Sequence, residues 1–189
     1  MSLARLVREC NAQNLQESVQ GGAHTNTGTA FIRAAMSFSL CRIRADLDCL
    51  NGISSKVTAS PSDPFVVRVI VQPTRGIWEG GTFHFTLNFS DDYPYEGPKV
   101  RYTGPYRIFH PNIEGERDRK DWGVCLGLQL EWRPSYTIKD LVIYIELLFS
   151  HPVCEDPLPG VSKAAAQMLK DHPSEFRETA RRWMRGEYC

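Results

Sequence analysis

No run of apolar residues in this chain approaches the ~20 that would span a bilayer, so no membrane segment is expected. Charge of one sign is also lacking: Lys plus Arg and Asp plus Glu both number 22. With no basic block interleaved with aromatics either, nucleic acid is not expected as a partner. The six cysteines, Cys10, Cys41, Cys49, Cys125, Cys154 and Cys189, form no CxxC pair and no His/Cys metal spacing. Neither a metal nor a cofactor is therefore expected. A secretory leader pattern is missing too, so free thiols in a reducing compartment, cytoplasmic or nuclear, are the expectation. No internal repeat is seen.

What is present suits a globular core. Hydrophobic residues make up 42% and aromatics 11% of 189 residues, enough for one domain and a short tail. Residues 1–28 read as a flexible extension and 29–189 as a single core domain. Within the extension, Leu3, Leu6 and Val7 form one apolar side of a helical turn or two. A polar stretch from Asn11 to Thr29 follows, with Gly21-Gly22. Such a tail is either inert or a tethered docking peptide.

From about Phe31 to Leu50 the pattern is helical, with Phe31, Ala34, Ala35, Phe38, Cys41 and Ala45 recurring at three- and four-residue steps. Strand alternation follows. Val67, Val69 and Val71 form one apolar face, and Phe83, Phe85, Leu87 and Phe89 another, after a Gly80-Gly81 turn. Pro98 to Tyr102 reads as a further short strand. No helical pattern separates these runs, so the sheet is predicted to be an antiparallel four-stranded meander. Between Tyr102 and Thr137 there is little periodicity, and long irregular loops are usually functional or disordered. Ile138, Leu141, Val142, Ile145, Leu148 and Phe149 then form a helical stripe with Thr137 as N-cap. Helices are also expected around Ala164–Lys170 and Ser174–Arg185, the last stopped by Gly186. The fold class is α+β.

The irregular stretch holds the residues that can do chemistry. Cys125 lies in Trp122-Gly123-Val124-Cys125-Leu126, after His110-Pro111-Asn112 and before Glu155-Asp156-Pro157-Leu158. A thiol that can ionise, an amide donor and a carboxylate make a plausible acyl-transfer set: nucleophile, oxyanion donor and acceptor-amine partner. Each also has a plain structural reading. Cys125 can be a buried thiol, and Asp156 a turn residue before Pro157.

Taken together, Tyr93-Pro94, Pro98-Lys99-Val100, His110-Pro111-Asn112-Ile113, Gly123-Val124-Cys125-Leu126, Trp132-Arg133-Pro134, Thr137-Ile138 and Asp156-Pro157-Leu158 resemble the ubiquitin-conjugating enzyme family. The resemblance runs from about Arg42 to the C-terminus. It implies the family's fold, and a thioester formed between Cys125 and a ubiquitin-like modifier delivered by an activating enzyme. By the same resemblance, Asn112 stabilises the oxyanion or holds the active-site loop, and Asp156 orients the substrate lysine. His110 and Pro111 are structural, although a base role for His110 stays open. Tyr93-Pro94 would be a cis-proline turn. Tyr95, Pro134 and Ser135 would face a RING-type ligase, and Trp132 would pack. Arg42-Ile43-Arg44-Ala45-Asp46-Leu47 and Met184-Arg185-Gly186-Glu187-Tyr188 are most similar to the neddylation branch. That branch implies a Nedd-type modifier, a cullin-type substrate, and docking of Leu3, Leu6 and Val7 on the activating enzyme. A ubiquitin-charging enzyme and a non-catalytic module on the same fold are the alternatives.

Two departures stand out. The Asn112–Cys125 gap exceeds the family's usual one by roughly five residues, the excess lying in the charged Glu116-Arg117-Asp118-Arg119-Lys120 run. Gly97 takes the place of the first proline of a pair, which predicts a looser loop.

Overall fold

In a computed structural model, the residues described are 38–114, 122–126 and 131–188. Leu3, Leu6, Val7, the boundary at residue 28 and the charged run Glu116–Lys120 lie outside them. Helix α1 covers residues 38–47. Strands β1 (Lys56–Ala59), β2 (Val66–Val71), β3 (Phe83–Asn88) and β4 (Lys99–Tyr102) follow, then the short β5 (Ile113–Glu114) and β6 (Trp122–Val124). Three helices complete the order: α2 (Ile138–Ser150), α3 (Val161–Asp171) and α4 (Pro173–Met184).

The sheet is antiparallel with order β1-β2-β3-β4-β6-β5. It is therefore six-stranded, and the four-stranded meander is only its first part. Strands β5 and β6 leave no alternation signal in the sequence, because two or three residues are too few to show a period of two. Where alternation is long enough, it places the core. Val67 pairs with Leu87, Val69 with Phe85 and Val71 with Phe83, while Val100 and Tyr102 face Leu87 and Phe85 from β4. All of these are buried. Helix α2 covers that face with the six residues of its apolar stripe, every one buried. Phe149 of α2 lies 4.6 Å from the ring of Phe83 and 6.2 Å from that of Phe85. Burying each such side chain contributes about 1.5–3 kcal/mol.

The N-terminus of α2 is set by a capping box. The Thr137 hydroxyl accepts from the Asp140 N–H at 3.3 Å, and the Asp140 carboxylate accepts from the Thr137 N–H at 2.8 Å. At the far end of the chain, Gly186 has a φ of +80°, and a Cβ there would meet Tyr106 at 3.1 Å. This left-handed residue turns the chain so that Trp183 and Tyr188 flank the Arg107 guanidinium at 5.0 and 5.5 Å.

Helix α1 differs from its sequence reading. Ser39, Ile43 and Asp46 are its buried positions, whereas Phe38, Cys41 and Ala45 are only half-buried. Two of the inward residues are polar, so an apolar stripe could not reveal that face. The expectation of free thiols also fails in part. Cys41 is disulfide-bonded, while Cys49, Cys125 and Cys154 are free. Composition and spacing do not report which thiols meet in space.

Candidate active site

Strand β6 delivers Cys125. Alternation sends Val124 and Leu126 into the core and leaves Cys125 between them, half-buried and free. Its backbone is held from the other side of the β5–β6 pair: Ile113 pairs with Val124, and the Cys125 N–H donates to the Asn112 carbonyl at 2.9 Å. The cysteine backbone is thus an extension of a sheet ladder rather than part of a free loop.

The His110-Pro111-Asn112 turn is locked by its own histidine. His110 is fully buried, its ring stacked 4.5 Å from that of Trp78. Nδ1 accepts the Asn112 N–H at 2.9 Å, which assigns the proton to Nε2, donating to the Leu148 carbonyl at 3.0 Å. Burial pushes the imidazole pKa down to about 3. A neutral ring with both nitrogens engaged has no lone pair to offer a substrate proton. Both ring nitrogens of His110 are thus spent within the fold, on Asn112 and Leu148.

Asn112 is the residue that joins the parts. It is 2% exposed. Its Nδ2 donates to the Val153 carbonyl at 2.9 Å, and its Oδ1 accepts the Val153 N–H at 2.9 Å. A side-chain amide here imitates a strand, pairing with one residue's backbone in both directions. One residue earlier, the Pro111 carbonyl accepts the Leu158 N–H at 3.2 Å. The segment 153–158 is therefore anchored at both ends on the same turn that holds Cys125. Asp156 is exposed between those anchors. The structure brings Cys125, Asn112 and the Asp156 segment together, with Asn112 binding the other two directly.

Cys154 lies in that segment as well. Its thiol is pushed above the usual range, first by burial and then by the Glu155 carboxylate, so the protonated form is favoured. Protonated thiols are poor nucleophiles, which leaves Cys154 a weak competitor for acyl chemistry.

The expected ligase-facing residues form a second cluster. The Tyr93–Pro94 bond is cis, and Tyr95 next to it is 73% exposed. Pro134 and Ser135 are exposed too. Trp132 connects the two segments, donating from Nε1 to the Pro94 carbonyl at 2.7 Å. Gly97 is not the loose point that its missing proline suggested. Trp132 rests on it so closely that a Cβ would come within 2.7 Å of the indole. A groove of about 530 Å³, lined among others by Tyr95, Pro98, Lys99, Val124 and Trp132, runs from this cluster toward the strand bearing Cys125. Sequence reasoning missed Arg42 and Asp46, whose bonds reach both segments; their i,i+4 spacing of opposite charge was the available signal. Among the described residues no group of His, Cys, Asp or Glu is arranged to hold a metal ion, and no helix is long and apolar enough to cross a membrane.

Residues 42–184 match the model of a family described as ubiquitin-conjugating enzyme, which covers most of the chain. The chain belongs to the ubiquitin-conjugating enzyme family. Relatives within it include the NEDD8-conjugating enzyme Ubc12 of Arabidopsis thaliana, 32% identical over 186 residues and covering 96% of this chain and 91% of that protein. The NEDD8-conjugating enzyme UBC12 of Kluyveromyces lactis is 35% identical over 152 residues, covering 78% and 77%. Among solved structures, S. cerevisiae Ubc12 superimposes with a TM-score of 0.68 at 27% identity, covering 98% of this chain and 93% of that one. Cys125, Asn112 and Asp156 all fall inside the span matched by the family model.

Proposed function

We propose that this enzyme accepts a ubiquitin-like modifier of the NEDD8 type from an activating enzyme and transfers it to a substrate lysine. The Cys125 thiolate attacks the activated C-terminal carbonyl of the modifier, forming a thioester and releasing the activating enzyme's thiolate. The lysine amine then attacks that carbonyl, the Cys125 thiolate leaves, and an isopeptide bond remains with loss of the amine's proton. Asp156 holds the incoming lysine and draws on that proton. Asn112 has two roles open to it by resemblance, and its bonds support holding the loops, with one amide hydrogen left for the oxyanion.

The observation that carries this reading is the engagement of Asn112, whose carbonyl holds the Cys125 N–H while its side chain holds Val153. The side-chain amide ties the segment carrying the exposed Asp156 to the turn whose backbone pairs with Cys125, so one buried residue sets the acidic segment beside the half-exposed thiol. The NEDD8 assignment draws on the relatives named for that modifier, one of which aligns along 96% of the chain. It extends to Tyr95, Pro134 and Ser135 as the contact for a RING-type ligase, to cullin-type substrates, and to Leu3, Leu6 and Val7 as the peptide that docks on the activating enzyme.

The test is charging with ATP and separate activating enzyme–modifier pairs, one for NEDD8 and one for ubiquitin. A thiol-sensitive adduct with the NEDD8 pair is expected. Cys125→Ser should give an adduct that survives reducing agent, because an oxyester replaces the thioester, and Cys125→Ala none. Reducible charging of the Ala variant would move the site to another cysteine. Charging by the ubiquitin pair alone would replace the modifier assignment.

A further inference from the structure

Helix α1 carries a polar face that the transfer chemistry does not use. Asp46, 6% exposed, accepts three donors. Arg42 Nε reaches Oδ1 at 2.9 Å; the Tyr93 hydroxyl and the Ile138 N–H, the latter at 3.3 Å, reach Oδ2. Arg42 spends its remaining nitrogens on the other ligase-facing segment, donating to the Pro134 carbonyl at 3.2 Å and the Tyr136 carbonyl at 2.9 Å. One turn earlier, the Ser39 hydroxyl is in bonding range of the Tyr93 carbonyl at 2.9 Å. Burial, and then the Asp46 carboxylate, hold the Tyr93 hydroxyl well above its usual pKa, so it stays a donor.

Each donor arrives from a different element. Tyr93 is two residues before Tyr95, across the cis bond to Pro94. Arg42 holds the carbonyls that flank Ser135. Ile138 opens α2, which covers the core. An apolar contact at this junction would supply attraction without direction. A buried carboxylate is costly unless its partners are well placed, and charge-assisted bonds at fixed angles define position as well as distance.

We propose that Asp46 is a positioning residue for ligase-stimulated transfer: its one carboxylate, shared among Arg42, Tyr93 and Ile138, sets the spacing between the Tyr95 segment and the Pro134–Ser135 segment that a ligase grips together. This rests on the reading of those three residues as the ligase face. A ligase engages both segments at once, so loss of their common anchor lowers the fraction of molecules in the docking geometry. The apparent affinity falls by that fraction, and the bound complex reacts as before.

The experiment measures discharge of the NEDD8-charged protein onto lysine, with and without a titrated, purified RING-domain ligase active on cullin-type substrates. Variants are Asp46→Asn, Tyr93→Phe and, as a direct contact control, Tyr95→Ala. Tyr93→Phe removes a single hydroxyl and keeps the ring, so it remains informative should Asp46→Asn fail to fold. Asp46→Asn and Tyr93→Phe are each expected to raise the KM for the RING domain by about two- to thirty-fold, with kcat at saturating ligase retained. A merely structural role would instead lower unaided and stimulated discharge together and leave their ratio constant. If Tyr95→Ala raises the KM while Tyr93→Phe and Asp46→Asn do not, the positioning role is overturned and the ligase face stands. If Tyr95→Ala also leaves the KM unchanged, the ligase face itself is wrong, and the positioning role goes with it.

Discussion

The fully buried His110 makes this protein's stability depend on pH in a way that can be worked out in advance. In the unfolded chain the imidazole takes a proton below about pH 6.5, whereas burial in the fold holds its pKa down to about 3. The folded pKa is depressed, so the neutral form is the native one. Its stabilising effect is complete above 6.5 and is lost progressively as the pH falls toward 3, because the unfolded state binds a proton that the native state refuses. One pKa unit corresponds to about 1.4 kcal/mol, so moving from pH 7 to pH 5 removes about 2 kcal/mol through this one ring. Protonation at Nδ1 would also turn the acceptor of the Asn112 N–H into a donor, setting two hydrogens against each other at 2.9 Å. Urea titrations of the wild type and His110→Gln at pH 7, 6 and 5 isolate the effect, since every other titrating group is common to both. The variant should be the less stable at pH 7, because it loses the ring stacked on Trp78. The gap between the two should then narrow by about 2 kcal/mol at pH 5. As a check independent of the variant, the His110 ring resonances of the wild type should not titrate between pH 7 and 4.5. A stability gap that stays constant with pH, or a ring that titrates near 6.5, would refute the assignment of a neutral, locked histidine.

Asn112→Ala should slow single-turnover discharge onto lysine, by as much as the ~10²–10³ of a lost oxyanion donor if its spare amide hydrogen is used. It should also raise amide exchange at Val153, whose N–H loses its acceptor; unchanged discharge and exchange would leave Asn112 without either role. Asp156→Asn should leave charging intact while slowing single-turnover discharge onto lysine, and discharge of unchanged speed would return Asp156 to a turn residue. Gly97→Ala places a methyl 2.7 Å from the Trp132 indole. Overpacking of about 1–3 kcal/mol, less the 0.4–1 that alanine gains by restricting the unfolded chain, predicts a net loss of about 0–2.6 kcal/mol in urea unfolding. A stabilising result would mean that Trp132 does not rest on that glycine. Replacing Leu3, Leu6 and Val7 by Ser should slow thioester formation at limiting activating enzyme, because a tethered peptide raises local concentration; equal rates would make the segment inert.

Where the residues of an element interact with their own neighbours along the chain, the sequence alone sufficed. The valines of β2 and the phenylalanines of β3 alternate, and they are buried where alternation says. All six apolar positions of α2 face the core, and Thr137 caps it, because the 3.6-residue period and a cap residue are local properties. The order of Asn112, Cys125 and Asp156 along the chain was legible too, and the family resemblance pointed to Tyr95, which is exposed. The polar junctions were not legible. Asn112 finds Val153 across 41 residues, Tyr93 finds Asp46 across 47, and Ile138 finds Asp46 across 92. No periodicity encodes such partners, since each depends on where the sheet sets down two distant segments. For the same reason the apolar residues of α1 mark only part of a buried face that is also polar, and Gly97, with no proline to stiffen it, lies under Trp132, which fills the space above it. Hydrophobic patterning decided which faces turn inward. Only the assembled fold decided which buried polar groups meet, because a hydrogen bond needs its partner within about 3 Å and at the right angle.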